Sequence, residues 1–515
     1  MKPSAACTGR LTNTHFSLLP VAFAALLAGC GGGGGSSSVS TVTPLTTTPS
    51  TPAITASYTA SQNMCAAPRT GIDPFTGKAY PDKQGTLADE RIFLRGWIDQ
   101  TYLWYKEVPD LNPLNYSTAI DYFNALKTPL LAASGQPKDK YHFTYTSAEW
   151  NALSVQGVAL GYGIDWSRNA GANLPRTWIA SAVEPGSPSA TAGLRRGDRL
   201  LTVDGYDFVN GADQATVDRL NAGLFPAAAN ELHRLTLNRN GAIIDVTLTA
   251  VAVASAPVKN TKAIDTPTGK VGYLTFDDHN EVSERALIDS ITQLKTAGVT
   301  DLVLDVRYNG GGLLYIASEL AYMIAGPAQT SGKTFVKTVY NDRYAEQAGD
   351  GFRATAYGFQ PTVPAGSALP TLNLKRVTLL TTGATCSASE LIINGLRGAD
   401  VEVNVVGGQT CGKPYGFTPI DNCGTTYFAI QFKGVNNKGF GDYTTGFGPN
   451  STCSVADDFQ HEIGDTSEGM LAAALRYRAT GVCSAASSST ARAAAAAPME
   501  MVRPYVSGLS ILRAR

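Results

Sequence analysis

Histidine is scarce in this sequence, with five residues in 515. That scarcity weighs against a His-based metal cluster and against a His-dependent catalytic centre. A charge imbalance is missing too: 41 basic residues face 42 acidic ones, a net charge of −1. Such a balance leaves no electrostatic footprint for nucleic acid or another polyanion. Charged residues are only 16% of the chain and apolar ones 43%, which excludes both intrinsic disorder and a polytopic membrane protein. The N-terminal apolar run, Leu18 to Leu27, is shorter than the ~20 residues a spanning helix needs. What is abundant is glycine (52) and tyrosine (22), a composition suited to an exported, strand- and turn-rich chain. At ~150 residues per domain the length allows about three domains.

Lys2 and Arg10 precede the apolar run with no acidic residue before it, the pattern of a signal peptide over residues 1–29. It ends Leu27-Ala28-Gly29-Cys30, which resembles a bacterial lipobox. The resemblance implies acylation of Cys30 and anchoring by lipid alone. With Gly31 rather than Asp next, it also implies the outer membrane, facing the periplasm. Residues 30–64 are a Gly/Ser/Thr/Pro tether. At the other end, 484–515 reads as a low-complexity tail to which no role is assigned.

Three folded segments lie between. In 65–147, Thr86 caps a helix with Asp89 and Glu90 in its first turn. Phe93, Leu94, Trp97, Ile98, Thr101, Tyr102 and Tyr105 recur at helical spacing up to Pro109. A second helix starts at Ser117 with Ile120, Phe123 and Leu126 inward. The aromatics Trp97, Tyr102, Trp104 and Tyr105 read as core rather than as a ligand platform. Segment 148–255 switches to short strands broken by Gly and Pro. Segment 256–483 alternates strands (271–276, 302–307, 377–381, 401–406) with helices (283–297, 315–324, 388–396), which argues a parallel α/β sheet.

Two Gly-rich turns follow strands of that sheet, where open α/β sheets place their sites. One is Asn309-Gly310-Gly311-Gly312. The other, Gly383-Ala384-Thr385-Cys386-Ser387-Ala388-Ser389-Glu390, sets Ser387 at a strand-to-helix turn beside unpaired N–H groups. Alone, Ser387 is as well explained as an ordinary helix cap. Its company decides: Asp305-Val306-Arg307-Tyr308 leads into the first turn, and Gly407-Gly408-Gln409-Thr410-Cys411-Gly412-Lys413 follows the second. Upstream, Gly186-Ser187-Pro188 through Gly193-Leu194-Arg195-Arg196-Gly197-Asp198 to Asp204-Gly205 resembles the second half of a permuted bacterial PDZ domain. In this order the motifs, over roughly 85–475, resemble the C-terminal-processing (tail-specific) serine peptidases.

The resemblance implies a multidomain α/β fold: a helical N-terminal domain (65–147), a PDZ-like β-rich domain (148–255) and a crotonase-like peptidase core (256–483). It implies an endopeptidase of protein or peptide substrates with Ser387 as nucleophile and Lys413 as general base. It needs no cofactor, no metal and no nucleotide. A serine hydroxyl is weak until a neighbour takes its proton, and lysine does so only when neutral, a form that burial favours. The oxyanion hole falls to the N–H groups of Gly311 (or its neighbour Gly312) and Ala388. The PDZ loop Leu160-Gly161-Tyr162-Gly163-Ile164 is the expected binder of a substrate's chain end. Many members carry a Gln four residues after the Lys. Here that residue is Phe417, so either another group such as Gln431 orients Lys413 or the base works as a dyad.

Other readings weigh less. Gly407–Lys413 fits the start of a phosphate-binding loop, but Pro414 replaces its Mg²⁺-binding hydroxyl. Cys386 with His279 or His461 would make a thiol peptidase; an oxidising compartment favours a disulfide. Asp277-Asp278-His279 and Asp457-Asp458 with His461 read as turn carboxylates rather than metal ligands. The alternative from another class is a catalytically silent, protease-like lipoprotein that binds peptides or hydrophobes. Six cysteines remain in the folded part and allow 15 pairings, which the sequence alone does not resolve. With Ser387 beside Lys413, as the resemblance implies, Cys386–Cys411 is expected, with Cys423–Cys453 and Cys65–Cys483 completing the set.

Overall fold

The computed structural model describes residues 58–132, 134–169, 174–483 and 499–502. The signal segment, Cys30 and most of the tether lie outside the described residues. No described helix is long and apolar enough to cross a membrane.

Helix α1 (Leu87–Thr101) starts where Thr86 and Asp89 cap each other. The Asp89 N–H donates to Thr86 Oγ1 at 3.3 Å and the Thr86 N–H to Asp89 Oδ2 at 2.8 Å. It buries Phe93, Leu94, Trp97, Ile98 and Thr101. The spacing predicts a helix running to Pro109, yet it stops at Thr101. Tyr102 turns extended because its buried hydroxyl donates to Asp139 Oδ2 (2.7 Å), and the next N–H, of Leu103, donates to Ile430 O (2.8 Å). Helix α2 (Ala119–Ala125) is capped by Thr118, one residue later than expected. These helices share one core with Tyr427, Ala429 and Ile430, and the strand Phe143–Thr146 pairs with Thr425–Phe428. Trp97 and Tyr102 are buried in that core and Trp104 and Tyr105 pack on it.

The PDZ-like segment is an antiparallel sheet of β1 (Ile164–Asn169), β2 (Trp178–Val183), β3 (Arg199–Val203), β4 (Leu232–Arg239) and β5 (Ala242–Thr249), in the order β5-β4-β3-β2-β1. Helix α3 (Gln214–Leu224) packs Leu220 and Leu224 onto Trp166, Trp178, Leu200, Leu235 and Leu237. Ser187 caps the short helix Pro188–Thr191, and Gly193 leaves it with φ +79°.

The last segment opens with the hairpin β6 (Val258–Thr266) and β7 (Gly269–Phe276). Helix α4 (Ser283–Thr296) leads to β8 (Asp301–Asp305), α5 (Leu314–Ala325) follows, and then β9 (Arg376–Thr381), α6 (Ala388–Gly398) and β10 (Glu402–Gly407). Strands β7 to β10 are parallel and neighbours in that order. Side chains alternate between two cores, as strand geometry demands. Leu302, Leu304, Leu379 and Val405 face α4, α5 and α6, while Val303, Leu380 and Val406 face α7 (Gly469–Thr480) with its Met470, Leu471 and Ala474. Both faces are covered, which is why these strands read as continuous apolar runs.

The tail is not featureless: Met499–Val502 forms β11, which extends the PDZ-like sheet beside β1. Four residues with no flanking pattern carry no strand signal of their own. Disulfides also differ from expectation. The structure pairs Cys386 with Cys411, but Cys65 with Cys423 and Cys453 with Cys483. Cys423 sits at the hairpin turn between Ile420–Asn422 and Thr425–Phe428, and the Asn63 N–H donates to Asn422 Oδ1 at 2.7 Å, which brings Cys65 alongside. Cys453 and Cys483 are buried in the same α7 core, so the bond closes a local loop rather than joining the ends of the folded part.

Candidate active site

Three loops meet at the C-terminal ends of β8, β9 and β10. Below them lies a buried ion network. The Arg307 guanidinium pairs with Asp305, Glu468 (2.8 Å) and Asp457 (2.8 Å). Arg196 of the PDZ-like segment reaches Asp457 (2.5 Å) and the Tyr308 hydroxyl (2.7 Å). This network anchors the start of the Gly-rich turn to the PDZ-like segment through Arg196 and to the stretch 457–468 of its own segment.

Asn309 then shapes the turn. Its Nδ2–H donates to Phe276 O (2.9 Å), and its Oδ1 accepts the Gly311 N–H (2.9 Å) and lies 3.0 Å from His279 Nδ1. Its own carbonyl accepts the Cys386 N–H (3.0 Å) and the Ser389 hydroxyl (3.2 Å), tying this turn to the next. His279 is wholly buried, and desolvation pushes it down to about 3, so it is neutral. Asp277 is held by Lys259 (2.9 Å), Asp458 by His461 (2.7 Å) and Asp457 by the network above. The carboxylates weighed as metal ligands therefore have other partners.

At Ser387 the backbone takes φ 56°, ψ −115°, a conformation normally left to glycine. Strain of this kind costs about 1–3 kcal/mol and persists only where the surroundings impose it. The surroundings do so by contact: a Cβ on Gly311 would lie 2.7 Å from Ser387 Cβ and 2.8 Å from Ala388 N. Only glycine, here with φ +96°, lets the two turns approach so closely. Ser387 remains partly exposed, while Ala388 begins α6 where its amide has no intrahelical acceptor. The Gly311 N–H, the first choice for the oxyanion hole, is occupied by Asn309 Oδ1; the adjacent Gly312 has φ +144°.

Glu390 joins the Ser387 turn to the Lys413 loop. Its buried Oε2 accepts both the Ser387 N–H (3.1 Å) and the Lys413 N–H (2.8 Å). Its Oε1 accepts the Thr410 hydroxyl (2.5 Å) and the Gly412 N–H (2.8 Å). Burial pushes this carboxyl above the ordinary range, against the pull of the four donors. Cys386–Cys411, with Cα atoms 5.2 Å apart, closes the same two loops covalently. Among the described residues, the one grouping of possible metal ligands is Cys386, Glu390 and Cys411. Its sulfurs are bonded to each other and its carboxylate already accepts four donors.

Lys413 is 7% exposed. Its Nζ lies 4.0 Å from the centre of the Phe417 ring and 4.9 Å from that of Tyr141. Gln431 does not take the place of the missing glutamine. Its amide accepts the Thr418 N–H and donates to Thr418 O, both at 3.1 Å, and is used up closing that loop. In the PDZ-like segment, the loop Gly161-Tyr162-Gly163-Ile164 leads into β1. Tyr162 is buried with its hydroxyl donating to Gly223 O (3.0 Å), so its side chain is turned into the PDZ-like core and is not offered to a ligand. Sequence reasoning missed Glu390 as a clamp and Asn309 as a brace. The Ser-x-x-Glu spacing of a capping box was the available signal for the first; none marked the second.

A model of the S41 peptidase N-terminal domain matches residues 91–145, a PDZ-domain model matches 179–215 and the model of peptidase family S41 matches 270–433. Over these residues the chain is similar to peptidase family S41. It is 29% identical over 270 residues to a carboxyl-terminal-processing protease of Picosynechococcus sp., covering 51% of this chain and 56% of that one. It is 27% identical over 268 residues to the chloroplastic C-terminal processing peptidase of Tetradesmus obliquus, covering 47% and 55%. The aligned part thus spans little more than half the length of these relatives. A solved S41 structure from Bacteroides fragilis has the same fold, with a TM-score of 0.56 at 22% identity, covering 78% of this chain and 98% of that one.

Proposed function

We propose that this chain is a serine endopeptidase of the C-terminal-processing kind, in which Ser387 and Lys413 act as a dyad. The Ser387 hydroxyl proton passes to neutral Lys413 Nζ as Oγ bonds to the scissile carbonyl carbon. The carbonyl oxygen takes the negative charge and accepts from the N–H groups of Ala388 and Gly312. Collapse breaks the C–N bond, the leaving amine takes the proton back from Lys413, and water then hydrolyses the acyl-enzyme by the same route. The observation that carries this reading is the Glu390 carboxylate, one oxygen of which accepts the backbone N–H of both residues. The burial of Lys413, which is 7% exposed, supports the neutral form that a base requires.

The substrates are proteins or peptides whose chain ends the PDZ-like segment captures as an added strand. With Cys30 acylated, they are envelope proteins met at the periplasmic face of the outer membrane. Digestion of casein by wild type, Ser387→Ala and Lys413→Ala tests the chemistry: cleavage by wild type alone supports it, and cleavage by Ser387→Ala overturns it. Palmitate labelling that is lost in Cys30→Ser tests the anchor.

A further inference from the structure

β11 occupies the one edge of the PDZ-like sheet at which PDZ domains take their ligands. It pairs antiparallel with β1, Met499 opposite Asn169, Glu500 opposite Arg168, Met501 opposite Ser167 and Val502 opposite Trp166. β1 is the strand that leaves the Gly161–Ile164 loop, and β11 runs toward that loop, stopping two register positions short of Ile164. This is the direction a captured chain end must take. Its side chains are engaged as a ligand's would be. Val502 packs on the core that holds Leu220 and Leu224 of α3. The Ser167 and Ser181 hydroxyls donate to Met501 Sδ at 3.3 and 3.5 Å, and Glu500 pairs with Arg168 at 3.1 Å.

We infer that the chain's own C-terminal tail is an internal ligand of its PDZ-like domain and competes with substrate for the β1 edge. The inference rests on the reading that this edge captures substrate ends. Arg503 follows Val502 in the chain, so β11 itself ends on a peptide bond and not on a free carboxylate. It gains the strand pairing and the Val502 contact without that charge. A substrate with a free end gains all three and displaces it. Being tethered, the tail acts at an effective concentration of ~1 mM; with an intrinsic dissociation constant of ~100 μM it weakens external ligands about tenfold.

The test uses the full chain with Ser387→Ala, so that probes are not cut, beside the same protein carrying Val502→Asp and a third ending at Cys483. The probe is a fluorescein-labelled peptide with the sequence of residues 494–502 and a free C-terminus, and its C-terminal amide. Both tail variants are expected to bind the free-ended probe about tenfold more tightly than the full chain. Hydrogen exchange of residues 164–169 should be slow in the full chain and faster in the chain ending at Cys483. Equal affinity in all three proteins overturns the tail as competitor while leaving edge capture intact. Equal binding of acid and amide overturns capture through the free end. Absence of probe binding in all three proteins, the one ending at Cys483 with its open edge included, means that the edge does not capture a chain end, and both ideas fall.

Discussion

Glu390→Gln isolates the clamp. The carboxylate accepts four donors, two on each oxygen. A glutamine has one oxygen and one NH₂ group, so it satisfies only one pair. Its better orientation keeps the oxygen on the Ser387 and Lys413 amides and turns the NH₂ toward Thr410 and Gly412. The Thr410 hydroxyl can rotate and accept, although it already accepts the Phe447 N–H at 2.7 Å. The Gly412 N–H cannot, and a buried donor without a partner costs about 1–3 kcal/mol. Losing the charge on the other two bonds adds about 1 kcal/mol. The predicted loss is about 2–4 kcal/mol of unfolding free energy, read by urea denaturation. A shift of the Gly412–Lys413 segment by even ~1 Å costs on the order of 10²-fold in rate, read as kcat on a quenched-fluorescent peptide. Glu390→Ala, which orphans all four donors, must be worse on both scales. If Glu390→Gln unfolds within 0.5 kcal/mol of wild type (about the size of an ordinary surface substitution) and keeps its kcat, the clamp is not what joins nucleophile to base.

Ser387→Gly should be inactive yet more stable than Ser387→Ala by about 1 kcal/mol, because glycine adopts φ 56°, ψ −115° without strain; equal unfolding free energies would refute the strain. Burial and the neighbouring Glu284 carboxylate raise the Glu319 carboxyl to about 8, well above its unfolded value. The folded state therefore holds this proton more tightly, and the stability it contributes is complete below about pH 4.5 and is lost as pH rises toward 8. Glu319→Gln should flatten that part of the stability profile and gain on the order of 2 kcal/mol near pH 8.5; an unchanged profile refutes the assignment. Reducing Cys386–Cys411, a 25-residue separation, should cost about 3 kcal/mol and lower kcat. A Cys386→Ala/Cys411→Ala double variant with wild-type stability and kcat would show the bond to be dispensable.

What could be read from the sequence was what local chemistry decides. Leu302-Val303-Leu304 is buried on both faces, and its run of apolar residues said so. Ser387 and Glu390 share a capping-box spacing, and Thr86 and Asp89 another. What escaped was set by distant partners. α1 ends at Thr101 because Asp139 and Ile430 claim the next two residues, and nothing near position 101 encodes that. Cys423 finds Cys65 because a hairpin pairs with Phe143–Thr146 nearly 280 residues earlier. Gln431 looked able to orient Lys413 until its amide was seen to close on Thr418. β11 borrows its strand conformation from β1.

The central claim is that Ser387 is acylated with Lys413 as its base. Its most direct test is intact-mass and peptide-map analysis of the full protein after brief exposure to a slowly deacylating p-nitrophenyl ester, at pH 8 with EDTA present. The account predicts one acyl group, mapped to the peptide containing Ser387, none on Ser387→Ala, and a rate lowered by ~10²–10⁴ in Lys413→Ala. Acylation at another residue, or an undiminished rate in Lys413→Ala, would contradict it.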